Sequence, residues 1–200
     1  MKKLIFSILL CLPLLVQAQT LTEVFTAMPD SLQALLTKNN RMDMVDFLAS
    51  HMEARVTNRM DGQSVMDTLT TDYLHMTLTG NTVVEMKLLP RGEEKVVAVL
   101  HTAGAPVKDS VLQYFTTDWK ETSDLTAWPD FSAFEAKPRS ELTEEQIQLL
   151  EALADMQLTT MTLSPADCLL HLNLSTDILP EEDREKVQDL IKEVVVDLKK

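Results

Sequence analysis

Between residues 73 and 116 the chain is a succession of strand-like segments separated by short turns, and this run limits the possible folds more than any other feature. Each segment is rich in apolar and β-branched residues, as strands are. The expected strands are 73–79, 82–89, 95–102 and 111–116. The Gly80-Asn81 pair predicts a hairpin with a two-residue type II′ turn between the first two strands. Because such short connections join antiparallel strands, the run predicts a β-meander.

The third of these strands is apolar on both faces. Val96, Ala98 and Leu100 point to one side of the predicted sheet, whereas Val97 and Val99 point to the other. A strand with this pattern is expected at the centre of a sheet that is covered on both sides. Helices near the N-terminus can cover one face. The other face needs a partner from the C-terminal third of the chain or from another subunit.

Helical spacing of apolar residues and recognisable turn residues define the rest of the architecture. The expected elements are two or three short helices within 20–55, a helix over 144–155, strands over 156–163 and 166–174, and a helix over 180–191. Thr143 and Gln146 form a capping-box pattern at the start of the second of these helical regions. Residues 192–200 fit both a helix and a closing strand. The predicted fold class is α+β, with N-terminal helices, an antiparallel β-meander, then a helix and further strands packed as one domain over residues 19–200.

The N-terminus carries the pattern of a secretory signal peptide. Lys2 and Lys3 precede a predominantly apolar stretch, Leu4–Val16, and a cleavage site of small or medium side chains ends at Ala18. The stretch has thirteen residues, whereas a membrane-spanning helix needs roughly 20. We therefore expect residues 1–18 to be removed as a signal peptide and the mature protein to be exported without a transmembrane span.

Cysteine content and charge restrict the function further. Loss of residues 1–18 leaves Cys168 as the single cysteine, so no intramolecular disulfide forms and core burial must stabilise the fold. The formal net charge of −13 repels phosphate backbones and anionic lipid headgroups, so nucleic acid is not an expected partner. Cationic and neutral partners remain open.

Several short segments occur in a specific order along the chain. They are Met28–Leu32, Asn40–Phe47, Lys87–Pro90, Gly104–Ser110 and Tyr114–Trp119. In these segments the chain resembles a family of secreted Bacteroidales proteins of about this length that is catalogued as a domain of unknown function. The resemblance implies an exported, single-domain α+β protein in the periplasm or cell envelope of a Gram-negative anaerobe. It carries over no catalytic residues.

The four histidines are the residues most suited to metal or acid/base chemistry. None lies in a metal-ligand motif, no cysteine pair supplements them, and the sequence predicts no metal and no cofactor. His75 and His101 lie on neighbouring or near-neighbouring strands of the meander, an arrangement in which two side chains can share a face. A carboxylate beside them, from Asp72 or Glu85, would indicate an uncharacterised periplasmic enzyme of hydrolase type.

The segment from Asp118 to Ser140 lacks sustained periodicity, and loops of this length are often functional. It carries three aromatic side chains, Trp119, Trp128 and Phe131, which are the predicted binding residues. Exposed tryptophan stacks on sugars and anchors protein partners. The structural alternative is that Trp128 and Phe131 fold back and close the open end of the sheet.

The function predicted from these features is that of an exported, non-enzymatic binding or accessory protein of the bacterial envelope. Its partner is expected to be a protein or glycan of the envelope. One alternative is the hydrolase-like enzyme described above. Another is an inhibitor-like scaffold that pairs with a second protein through its sheet.

Overall fold

The computed structural model describes residues 19–123 and 126–199. The helices are α1 (Leu21–Ala27), α2 (Lys38–Ala49), α3 (Glu144–Met156) and α4 (Glu181–Val187). The strands are β1 (Ala54–Thr57), β2 (Gln63–Leu69), β3 (Tyr73–Thr79), β4 (Thr82–Arg91), β5 (Glu94–Ala103), β6 (Asp109–Thr116), β7 (Thr159–Leu163), β8 (Leu169–Leu174) and β9 (Val194–Asp197). The predicted signal peptide lies outside the described residues. None of the described helices is long and apolar enough to cross a membrane. The α+β fold class is confirmed.

Three of the helices begin with the same capping arrangement. In α1, α2 and α3 a threonine side chain, from Thr20, Thr37 or Thr143, accepts a hydrogen bond from a backbone N–H three residues later. The side chain at that later position reaches back to the threonine N–H, which satisfies a second donor. The capping box predicted at Thr143 is therefore confirmed, and α3 extends one residue beyond the predicted end.

Strands β1 to β6 form one antiparallel sheet in chain order. Its last four strands confirm the predicted meander. The first two were not expected from the sequence pattern. β1 has only four residues, and β2 combines apolar residues with polar ones such as Asp67 and Thr68 because one of its faces meets solvent.

The hairpin between β3 and β4 turns at Gly80-Asn81 as predicted, but the predicted type II′ turn is wrong. That turn requires a positive φ angle at its first central residue, and neither Gly80 nor Asn81 has one. The strand pairing shifts between Thr77 and Thr79, so β3 carries an extra residue just before the turn. Such a β-bulge bends and twists the strand locally, and the hairpin closes with a different geometry.

Strand β5 lies between β4 and β6, and both of its faces are buried as predicted. On one face Val97 and Val99 join the core beneath α1 and α2. On the other face Ala98 and Leu100 join a second core with residues of β7 and β8. The partner of this second face is therefore the three-stranded sheet β7-β8-β9 from the C-terminal third of the chain.

Residues 187–198 contribute buried side chains to two different cores. Val187 and Leu190 are buried against α3, whereas Leu198 is buried in the core between the two sheets. α4 therefore ends at Val187 rather than near Ile191 as predicted, because the chain turns here to reach the second core. The open choice for residues 192–200 is resolved in favour of strand β9, which pairs with β8.

Side chains from the larger sheet cap the outer edge of β7. Alternate backbone N–H groups of β7, which face away from β8, donate hydrogen bonds to acceptors on β4 and β6. The pairs are Thr159 to Asp109 at 3.0 Å, Met161 to Ser110 at 2.9 Å and Leu163 to Glu85 at 2.8 Å. These bonds join the two sheets and leave that edge of the smaller sheet without free donors.

Arg41 of α2 is fully buried, and its guanidinium group joins the segments around it. It donates to the carbonyl oxygens of Phe25 at 3.2 Å and Leu36 at 2.9 Å, and to that of Met28. It also forms an ion pair with Asp30 at 3.1 Å. The side chain thus donates to carbonyl groups at the end of α1 and in the following loop, where helix hydrogen bonding ends.

Candidate functional site

The three predicted aromatic residues do not lie together. Trp119 is 8% exposed, and its ring packs on Phe115 with 5.6 Å between ring centroids. Its Nε1 donates a hydrogen bond of 2.9 Å to the carbonyl oxygen of Val24 in α1. Trp119 therefore belongs to the core beneath the helices and does not line a cavity with the other two residues.

Trp128 and Phe131 do lie together, at the wall of a cavity of about 190 Å³. Its walls come from the 128–134 segment and from strands β7 and β8. Its other lining residues are Pro129, Phe134, Gln157, Thr159, Met161, Leu172 and Leu174. We take this cavity, called the aromatic cavity below, as the candidate binding site.

The loop that forms one wall of the aromatic cavity is held by backbone hydrogen bonds. Phe131–Phe134 form a short 3₁₀-helix, in which the rings of Phe131 and Phe134 are 6.4 Å apart between centroids. Just after it, the Ala136 N–H donates to the carbonyl oxygen of Leu190, and the Lys192 N–H donates to that of Phe134, both at 2.8 Å. These bonds fix the loop against the segment before β9, so the wall is formed without a ligand.

The opposite wall comes from the smaller sheet. Met161 and Leu172 are cross-strand partners on β7 and β8, and Thr159 and Leu174 form a second pair. Gln157, at the end of α3, contributes the polar group and has a left-handed backbone with φ 46°. A largely apolar cavity with one or two polar groups at its rim is typical of small-molecule and side-chain binding sites.

Size and exposure indicate what the aromatic cavity can hold. Sites for drug-sized ligands and cofactors have volumes of roughly 300–1,000 Å³, which is more than this cavity provides. An apolar cavity of roughly 150 Å³ is enough for benzene. Trp128 is 42% exposed, so part of its ring is open to a partner at the surface. The cavity therefore fits a single ring or a branched apolar side chain, with Trp128 contacting what surrounds it.

Several lining residues were not predicted from the sequence. Phe134, Met161, Leu172 and Leu174 have the pattern of ordinary core residues, and no local signal separates them from other apolar positions. Phe131 and Leu172 come from distant parts of the chain and meet only in the folded protein. Trp128 was found because a tryptophan in a long aperiodic loop is itself a signal.

His75 and His101 do not share a face of the sheet. His75 is the cross-strand partner of Glu85, and Glu85 is the partner of Leu100, so His75 lies on the side of the smaller sheet. His101 follows Leu100 and points to the opposite face. His75 Nδ1 lies 2.7 Å from an Asp67 carboxylate oxygen, whereas burial lowers the pKa of His101. The described residues include no cluster of three or more metal-ligating side chains.

The carboxylates expected near the histidines have structural partners. Asp72 pairs with Lys87, whose Nζ lies 3.0 Å from the carboxylate and also donates to the Pro165 carbonyl oxygen at 2.9 Å. Glu85 is 4% exposed and accepts hydrogen bonds from the Tyr73 hydroxyl at 3.1 Å and from Leu163 N–H. Lys87 and Glu85 thus link β4 to the smaller sheet.

Glu85 gives a prediction for the pH dependence of stability. Burial raises the pKa of its carboxyl group in the folded protein, whereas the unfolded value is about 4.3. The folded state then holds the proton more tightly, so its stabilising contribution is complete below the unfolded pKa and is lost as pH rises through the folded pKa. A Glu85→Gln variant keeps an acceptor for Tyr73 and Leu163 but does not ionise. We expect its free energy of unfolding to rise, relative to wild type, as pH increases from about 4 to 7.

Urea denaturation of both proteins at several pH values measures this difference. Glu94→Gln, which removes an exposed carboxylate from the β4–β5 hairpin, is the control and should give a flat difference. Since His75 and Asp67 also influence Glu85, both stay unchanged in the comparison. If the free energy of unfolding of Glu85→Gln relative to wild type stays constant or falls as pH increases, the raised pKa of Glu85 is contradicted.

Comparisons with known proteins agree with this fold and leave its activity open. The family described as "Protein of unknown function (DUF3256)" matches residues 14–197. The structure is similar to that of a domain of an uncharacterized protein from Porphyromonas gingivalis W83, with a TM-score of 0.71 and 22% sequence identity over 88% of this chain and 91% of that chain. No curated protein matches the sequence. The resemblance to a domain of unknown function is confirmed, and the chain belongs to the DUF3256 family.

Proposed function

We propose that this protein is an exported, non-enzymatic binding or accessory protein of the bacterial envelope. In this proposal, residues 1–18 are the signal peptide and residues 19–200 form the mature domain. The partner is a protein that inserts one large apolar side chain into the aromatic cavity. Export rests on the two lysines and the apolar stretch at the N-terminus, and binding rests on the cavity.

The observation that carries the proposal is that Trp128, 42% exposed, lines a preformed apolar cavity. Tryptophan is enriched among the residues that dominate protein interfaces, and such residues pair with pockets. The cavity of about 190 Å³ matches one side chain better than a cofactor. Because the walls are held by backbone hydrogen bonds, little ordering entropy is lost on binding, which favours affinity.

A capture experiment tests this function. Mature protein is immobilised and exposed to solubilised envelope of the producing bacterium, and the affinity of each retained protein is then measured by calorimetry with purified components. We expect Trp128→Ala to weaken binding by about 2 kcal/mol, or roughly thirtyfold in Kd, which is the lower limit for a dominant interface residue. The loss follows from removing the ring that both lines the cavity and contacts the partner.

Met60→Ala is the matched control. Met60 is 78% exposed and lies in the turn between β1 and β2, away from the aromatic cavity, so its loss should leave the affinity unchanged. Equal affinity of wild type and Trp128→Ala for every retained protein would contradict the proposal. If wild type instead retains an envelope polysaccharide that Trp128→Ala does not retain, this result would contradict a protein partner and assign the site to a glycan.

A further inference from the structure

An acidic groove lies beside the aromatic cavity. Leu174 lines both, and the groove has a volume of about 460 Å³. The remaining groove residues are Thr176, Glu181, Arg184, Glu185, Gln188 and Ile191. A segment bound with a side chain in the cavity therefore has its neighbouring residues next to α4.

The cationic groups of α4 are already engaged. Arg184 pairs with the Asp177 carboxylate at 3.1 Å and donates to the Leu179 carbonyl oxygen at 2.9 Å. Lys186 contacts carboxylate oxygens of Glu145 at 2.8 Å and Asp183 at 2.9 Å. These contacts neutralise the positive charge of the helix within the protein itself.

Glu181 and Glu185 of α4 also line the groove, but they lack such ion pairs within the described part of the chain. Both are exposed, and neither forms an ion pair with another residue in 19–123 or 126–199. They are four residues apart, so their carboxylates lie on the same face of the helix, where like charges repel. A cation placed between them relieves this repulsion and finds two acceptors. Because the groove adjoins the apolar cavity at Leu174, a segment bound in the cavity can reach this pair of carboxylates.

We propose that the partner presents a lysine or arginine next to the apolar side chain that enters the aromatic cavity. The inference rests on the proposed function and specifies its partner. The apolar side chain fills the space beneath Trp128, and the adjacent cation lies in the groove with Glu181 and Glu185. The excess of acidic residues over the whole chain, with a net charge of −13, also speeds the encounter with a basic segment.

Short capped peptides test the charge pattern directly. The probes are acetyl-Lys-Phe-Lys-amide and acetyl-Glu-Phe-Glu-amide, titrated into mature protein while the methyl resonances of Met161, Leu172 and Leu174 are followed by NMR. We expect the lysine peptide to bind about tenfold more tightly at low salt, since each exposed ion pair contributes only a few-fold. High salt should reduce the difference, because exposed charges are screened.

Two double variants locate the effect. Glu181→Gln with Glu185→Gln should remove most of the preference for the lysine peptide. Glu93→Gln with Glu94→Gln removes two exposed charges from the β4–β5 hairpin, and it should leave the preference intact. If both double variants lose the preference for the lysine peptide to the same extent, the preference comes from the total charge, and the proposed role of the groove is overturned.

The same titrations distinguish failure of the cationic partner from failure of the aromatic cavity as a binding site. In one outcome, both peptides bind wild type with equal affinity and shift resonances at the cavity, and the shifts are abolished in Trp128→Ala. This result would overturn the cationic partner but leave the aromatic cavity as a binding site. Absence of shifts with either peptide at millimolar concentration overturns the aromatic cavity as a side-chain site and the proposed function with it.

Discussion

Replacement of Trp119 by alanine is expected to lower the free energy of unfolding by about 3–5 kcal/mol, the usual loss for a buried Trp or Phe. The ring fills the core beneath α1, packs on Phe115, and donates its Nε1 hydrogen bond to Val24. Its removal leaves a cavity and an unpaired carbonyl oxygen. Because a domain of this kind is stable by about 5–15 kcal/mol in total, the loss should be evident as a lower urea midpoint in circular dichroism.

Trp128→Ala is the matched control, since it removes the same side chain from a position that is 42% exposed. Its stability loss should be clearly smaller, because less of the ring is buried. Trp119→Phe, which retains an aromatic ring but not the Nε1 donor, should be intermediate. Similar losses for Trp119→Ala and Trp128→Ala would show that the two tryptophans are not divided between core and surface in this way.

Arg41→Ala is expected to cost about 3–5 kcal/mol, because several carbonyl oxygens lose a charged donor at once and such bonds contribute roughly 1.5–3 kcal/mol each. The affected oxygens belong to Phe25, Met28 and Leu36. Arg41→Lys should recover only part of the loss, since an ammonium group lacks the planar fork of guanidinium. Hydrogen exchange should show faster exchange in residues 28–36 in addition to the lower global stability.

Arg59 provides a control that shares one partner with Arg41. Its Nη2 lies 2.7 Å from Asp30, but its side chain is 47% exposed. Arg59→Ala therefore removes an exposed ion pair and should cost about 0–1 kcal/mol. Equal losses for Arg41→Ala and Arg59→Ala would mean that the pairing with Asp30, and not the buried carbonyl groups, is the important contact.

The meander was predictable because its strands are long, adjacent in the chain and marked by turn residues. The burial of β5 on both faces followed from the apolar residues on both its sides, from Val96 to Leu100. β1 and β2 were missed since short or half-exposed strands carry a weak periodic signal. The tail was ambiguous because Val187 and Leu198 belong to different cores but fit a single helical stripe.

The candidate site was only partly predictable. Trp119 and Trp128 are equivalent in the sequence, as each is a tryptophan in a long loop. What separates them is the acceptor that Val24 provides for Trp119, and that contact spans 95 residues of sequence. The walls of the aromatic cavity come from a loop and from two strands that pair later in the chain. Their meeting depends on tertiary packing, which no local pattern encodes.

The position of the smaller sheet at the end of the chain has a consequence for protein synthesis. All six strands of the larger sheet have been made once the ribosome has passed Thr116, but Ala98 and Leu100 have no cover until β7 and β8 follow. Exposed apolar surface on an unfinished chain favours aggregation. A chain truncated before β7 lacks the residues that bury Ala98 and Leu100, and it should therefore yield an insoluble product.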